Sequence, residues 1–212
     1  MMAVPALIEI QYFPPIQFFS KCLIYSSIVL DQHENYRKGT YRNRTQIAGA
    51  NGKLRLTVPL VKGKNQRQNI KEVKISYVEP WQHQHWMAIQ SAYGNAPYFD
   101  YYADYIEPFF RQPYEFLFQL NTAILDQLIK ILQIPVSIQF SDIFQPITDI
   151  DLIDLRNTIH PKKSILDPHY KEVTYPQVFE DKLGFLSNLS ILDLLFCQGP
   201  ETILILEKSI RK

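Results

Sequence analysis

Two cysteines in 212 residues, Cys22 and Cys197, are too few for a disulfide framework. Both fall in predicted apolar helices and read as core thiols rather than nucleophiles. No run of eighteen apolar residues occurs, so no transmembrane helix is expected. Met1 to Ile10 has no basic start and carries Glu9, which does not read as a secretory signal. These absences together predict a soluble protein of the reducing cytoplasm. Only seven glycines are present. None of them builds a Gly-x-Gly-x-x-Gly fingerprint, a P-loop or a Gly-x-Ser-x-Gly elbow, so those nucleotide-binding and hydrolase classes are excluded. The five histidines show no zinc spacing with cysteine. His83 and His85 stand two apart, which on a helix turns them about 200° away from each other. No metal and no cofactor is therefore expected.

What is present is aromatic side chains and segregated charge. Thirteen Phe, thirteen Tyr and two Trp point to aromatic-rich packing or aromatic-lined clefts. The net charge of +1 hides a division along the chain. Arg37 to Lys74 holds eleven basic residues and one acid, Glu72, for +10. Tyr98 to Leu155 holds nine acids against Arg111 and Lys130, for −7. A positive surface of this kind attracts an anion. The alternative is a solvated face neutralised by the acidic part of the same fold. A near-neutral total argues against nucleic acid as the partner.

The predicted fold class is α/β: an N-terminal βαβ unit with a mostly parallel sheet, a basic β-hairpin, and a helix-rich C-terminal half. One domain over residues 1–212 is expected. Ala6 to Ile10 reads as a strand, Pro15 opens a helix of about three turns, and Ser27 to Leu30 reads as the second, parallel strand. Ligands of such sheets lie beyond the carboxyl ends of the strands. That edge would hold Gln11, Tyr12, Phe13, Asp31 and His33, with free N–H groups near Pro15.

Asn51-Gly52 is a two-residue hairpin signal. It sets Ile47 opposite Leu56 and Thr45 opposite Val58 on a buried face. Arg42, Arg44, Lys53 and Arg55 then share the other face. Four cations on one ribbon suit phosphate or carboxylate, which guanidinium forks grip. An exposed face kept soluble by charge is the alternative. Gly63 to Ile70 reads as a basic loop, and Val73 to Tyr77 as a further strand. A helix from Pro80 is expected to end at Gly94 in a left-handed cap. Trp81, His85, Ile89 and Tyr93 share one side of it. His85 there is either a satisfied core histidine or a catalytic base. Tyr114 to Leu132 is the longest predicted helix, with Asn121 on its buried stripe, bonding a backbone or a ligand. Val136 to Phe140 reads as a strand, Gln145 to Asp167 as irregular, and Asn188 to Cys197 as a helix capped by Asn188 or Ser190.

An ordered set of segments carries a resemblance. These are Tyr12-Phe13-Pro14, Asp31, Lys38, Tyr41-Arg42-Asn43-Arg44-Thr45-Gln46-Ile47, Asn51-Gly52 and Leu56-Thr57-Val58-Pro59. Trp81 to Tyr93 running into Ala96-Pro97-Tyr98-Phe99 follows, then Leu120-Asn121, Tyr175-Pro176-Gln177 and Leu189 to Phe196. In this order they resemble the WbqC-like family, whose genes often lie among those for O-antigen and other surface polysaccharides. The resemblance implies a transferase that moves an aminoacyl, glycyl or related acyl group onto an amino sugar. Its implied partner is a nucleotide-sugar or another phosphorylated small molecule. Lys38, Arg42, Arg44 and Arg55 would then hold phosphate or carboxylate, with Asn43 and Asn121 beside them. Asp31 or His85 would act as general base. Tyr12 and Tyr93 would stack on sugar or base. Glu9-Ile10-Gln11 before the first motif and Gln17-Phe18 after it depart from the family pattern. So does the lack of glycine from Asp149 to Asp167. These departures imply a different substrate or a weaker activity. A non-catalytic binding module of the same pathway is the alternative.

Overall fold

The computed structural model describes residues 4–61, 68–142, 152–163 and 165–211. In chain order the elements are β1 (Ala6–Ile8), α1 (Ile16–Ile24), β2 (Ser27–Leu30), β3 (Arg44–Gly49) and β4 (Gly52–Thr57). Then come α2 (Trp81–Tyr93), α3 (Phe99–Ile106), α4 (Pro108–Arg111) and α5 (Leu117–Leu132). β5 (Ser137–Phe140), β6 (Ile153–Asp154), α6 (Glu180–Leu183), α7 (Ile191–Gln198) and α8 (Thr202–Lys208) complete the order. None of these helices is long and apolar enough to cross a membrane.

The parallel sheet runs β5-β2-β1-β6, with Leu7 opposite Val29 and Ile28 opposite Ile138. A parallel pair needs a crossover, and α1 supplies it. Both faces of the central strands are covered: Ala6, Ile8, Ile28 and Leu30 are buried on one and Leu7 and Val29 on the other. β1 ends two residues earlier than the apolar run predicts, because Glu9 turns its carboxylate into a polar cluster. β6 falls where an irregular segment is expected. A strand of two residues has no period to read, and only pairing with β1 defines it.

The N-terminus of α1 is not free for an anion. Its first amides donate to the Leu189 carbonyl and the Asn188 Oδ1, both at 3.0 Å. Phe13, just before it, has a φ of 40°, a left-handed backbone that bulky residues rarely adopt. Its carbonyl accepts from the Thr45 and Ser190 hydroxyls, which hold that turn from two other elements.

The hairpin β3–β4 forms a separate two-stranded ribbon. Its register differs by two residues from the expected one: Ile47 lies opposite Leu54 and Thr45 opposite Leu56. Ala50 and Asn51 make the turn, and Gly52 takes the positive φ of 116°. A slip of two preserves the faces, so Thr45, Ile47, Leu56 and Val58 are buried as expected. Three further corrections are local. Lys74 and Ile75 form single bridges rather than a strand. Gly94 ends α2 in right-handed geometry, at φ −57°. The long helix begins at Leu117, three residues late, because Lys74 bridges to Phe116 in extended backbone. Ser190 caps α7, accepting from the Leu192 amide. Most of the loop expected at 63–70, and 145–151 and 164 of the segment expected to be irregular, lie outside the described residues.

Candidate functional site

A network of charge occupies the carboxyl end of the parallel sheet. Glu9 follows β1, Asp31 and Glu34 follow β2, Ser141 follows β5, and Arg156 and Asn157 follow β6. Arg42 reaches the same place from a 3₁₀ turn, Tyr41–Asn43, just ahead of β3. Arg42 is fully buried and so does not belong to the ribbon's open face. Its Nε donates to Glu34 Oε1 at 2.7 Å and its Nη2 donates to Glu34 Oε2 and, at 3.3 Å, to Asn157 Oδ1. Arg156 donates from Nη1 to Asp31 at 2.6 Å and from Nε and Nη2 to Asp154. Asp31 Oδ1 also accepts from the His33 amide and, at 3.4 Å, the Ser141 hydroxyl. Glu9 accepts from Gln11 Nε2 at 3.0 Å and the Asn157 amide at 2.7 Å. Burial raises the Glu9 carboxyl above its ordinary range, only partly opposed by Arg42. Burial likewise pushes Glu34 to about 7, against the pull of Arg42 and with the repulsion of Glu9 and Asp31. Four carboxylates share two guanidiniums here, so the cluster keeps a proton near neutrality.

Tyr12, His85, Tyr93, Asn121 and Asn43, of the other expected residues, are engaged within the fold. Tyr12 is buried, and its hydroxyl meets His85 Nδ1 at 3.0 Å. His85 also bonds the Thr57 backbone, and burial lowers its pKa to about 4. It is the satisfied core histidine, its ring packed against Trp81 and Phe110. Tyr93 is buried, accepts from the Ala48 amide and donates to Asp193, both at 2.9 Å. Asp193 accepts further from Tyr175 at 2.7 Å and Gln177 at 3.0 Å, a buried network that the spacing of these residues does not announce. Asn121 donates to the Arg42 carbonyl at 2.7 Å, and Asn43 to the Val58 carbonyl at 2.9 Å. Both asparagines position the Arg42 turn and β4. Lys38 is exposed and does not line the cleft described next.

That cleft, of about 470 Å³, opens between the hairpin and the segment after β6. Tyr41 and Thr158, sequence neighbours of Arg42 and Asn157, place it next to the buried network. Gln46 and Lys53 reach it from the hairpin's outer face, and His160, Lys162 and Lys163 from the opposite wall. The one carboxylate among its described lining residues, Asp167, is claimed by Lys21 at 2.5 Å and Gln17 Nε2 at 2.8 Å. Burial disfavours that carboxylate, but Lys21 and Gln17 outweigh it and hold its pKa below the ordinary range. Partial burial, Lys163, Lys162, Arg42 and Arg44 all lower the His160 pKa and so favour its neutral ring. His160 Nδ1 accepts from the Lys162 amide at 3.0 Å, which leaves the proton on Nε2 as a free donor. Arg44 and Arg55 share the ribbon's outer face and repel each other. Among the described residues neither has an ion-pair partner. Sequence spacing indicates Lys53, Arg44 and Arg55, while His160, Lys162 and Lys163 join only through folding. No group of three metal-ligating side chains occurs among the described residues.

Comparison with known proteins places the chain. The description of the WbqC-like protein family matches residues 10–168. An uncharacterized protein of Mycobacterium tuberculosis is 28% identical over 131 residues, covering 61% of this chain and 56% of that protein. The chain thus spans little more than half the length of that relative. No solved structure matches it.

Proposed function

The chain belongs to the WbqC-like protein family, and from that premise we propose that it binds a phosphorylated small molecule in the cleft between the hairpin and residues 158–163 and 165–170. The supporting observation is a surplus of cations around one hollow. Lys53, Lys162 and Lys163 line it and Arg44 and Arg55 flank it, Glu172 offsets only Lys53, and the one carboxylate among its described lining residues, Asp167, is already taken by Lys21. Charge-assisted donors of this kind hold phosphate or carboxylate. His160 Nε2–H adds a neutral donor. We read the ligand as a nucleotide-sugar or related phosphate ester, used in acyl transfer to an amino sugar of surface-polysaccharide synthesis. In that reaction the sugar amine attacks the acyl carbon. The acyl–oxygen bond to the activating phosphate breaks, the phosphate leaves with that electron pair, and the proton given up by the amine passes to water.

One observation favours a second reading, a non-catalytic binder of the same ligand. Asp31 and His85, the expected bases, are both buried and bonded within the fold. Calorimetric titration with nucleotide-sugars and inorganic phosphate, followed by mass analysis of an amino sugar incubated with activated acyl donors, separates the two. Binding with a mass gain supports the transferase, and binding without one the carrier. No binding, or binding unchanged by a Lys162→Ala, Lys163→Ala double substitution, overturns both.

A further inference from the structure

A second hollow, of about 450 Å³, lies between α3, α5 and the start of α8, and it is lined by different chemistry. Tyr101, Tyr102 and Tyr105 come from α3, Gln127 and Lys130 from α5, and Gln133 from the residue that ends α5. Its volume is that of an ordinary small-molecule site, roughly 300–1,000 Å³. Tyr101 is 68% exposed and Tyr105 50%, an unusual amount of aromatic surface to leave in water at the mouth of a cavity. The rings of Tyr101 and Tyr102 meet at 4.7 Å and 80°, so they form a corner rather than two parallel jaws.

The polar groups around this corner are not spent on the fold. Among the described residues, the side chains of Tyr101, Tyr105, Gln127, Lys130 and Gln133 make no hydrogen bond or ion pair with the rest of the chain. By contrast, Gln17, Asn188, Lys53 and Asp167 of the basic cleft are all bonded internally. Gln133 ends α5 at φ 52° in a left-handed cap, its amide donating back to the Ile129 and Lys130 carbonyls, which fixes the backbone at this edge of the hollow.

We propose that this pocket binds a pyranose sugar, with preference for one bearing a carboxylate. A chair-shaped sugar has an apolar C–H face for the Tyr101 ring and a belt of hydroxyls for amides, phenols and an ammonium. The perpendicular rings fit that shape, whereas a flat nucleobase needs parallel faces. Lys130 is the pocket's one formal charge, so an acidic sugar gains a charge-assisted bond that a neutral one lacks. The proposal does not depend on ligand binding in the basic cleft.

Saturation-transfer NMR on the full chain tests it, with methyl glycosides of gluco- and galacto-configured sugars and of the matching uronic acids. The expected result is transfer to ring C–H protons, with the uronides held about tenfold more tightly. Tyr101→Ala should weaken all of them at least about fivefold. Because that side chain is mostly exposed, the unfolding midpoint should hold. Lys130→Gln should erase only the preference for the uronide. Absence of transfer to every sugar, or binding that survives Tyr101→Ala, overturns the site. A uronide preference that survives Lys130→Gln overturns the role of the ammonium.

Discussion

Arg42 and Arg44 stand two residues apart and have opposite fates. Arg42 points into the fold and holds Glu34, whereas Arg44 lies on the ribbon with Arg55 and no acid. Arg42→Ala should cost about 3–5 kcal/mol in urea unfolding, since it strands a buried carboxylate. Arg44→Ala should leave stability within about 0.5 kcal/mol and instead weaken a phosphorylated ligand about tenfold in titration. Equal stability losses for the two would refute this division. The carboxylates supply a pH effect. Burial raises Glu9, and raises Glu34 from 4.5 to about 7. The folded state therefore keeps a proton that the unfolded chain releases. Stability should be greatest below about pH 4.5 as far as these groups are concerned, fall as pH rises towards 7, and stay lower above. Glu9→Gln should flatten that slope without unfolding the protein. Gln11 Oε1 has no protein partner, so a flipped Gln11 amide can accept from the new Nε2. Urea titrations at several pH values between 5 and 8 measure the slope, and a variant as steep as the parent would refute the assignment.

At the scale of elements, Tyr93 ties α2 to β3 and α7 through one hydroxyl. Tyr93→Phe leaves the Ala48 amide and Asp193 each short of a partner. It should cost about 1–3 kcal/mol in thermal or urea unfolding, with ligand affinity unchanged. A loss of affinity at constant stability would return Tyr93 to the binding site. Element types were legible wherever a period was long enough. The βαβ unit, the hairpin's buried face and the Trp81–Tyr93 stripe follow from local spacing, which also narrows the α7 cap to Asn188 or Ser190. The two-residue β6 and the hairpin register were not, because each depends on pairing or turn geometry that no run of residue types expresses. The expected anion site at the start of α1 fails for a related reason. The groups that occupy its amides, Asn188 and Leu189, come from the far end of the chain.

For the whole molecule, the concentration of eleven basic residues in Arg37–Lys74 was visible before any fold. Only part of it reaches the cleft, and its opposite wall comes from His160 to Lys163. Attraction between that wall and an anion should be screened by salt. Affinity for a phosphorylated ligand should fall steadily as ionic strength rises from 0.05 to about 0.5 M, and more weakly in the Lys162→Ala, Lys163→Ala variant. A salt-independent constant in titration would speak against an electrostatic site.

Residue order alone determined the α/β class, the buried stripes and the sign of the surface around the hairpin, because periodicity and charge density are properties of neighbours along the chain. Only the tertiary structure decided which cations remain free. A guanidinium buried beside a carboxylate is neutralised, and one on an open ribbon is not. That outcome depends on which acid the fold brings next to it: Glu34, eight residues earlier in the chain, for Arg42, and none of the described acids for Arg44.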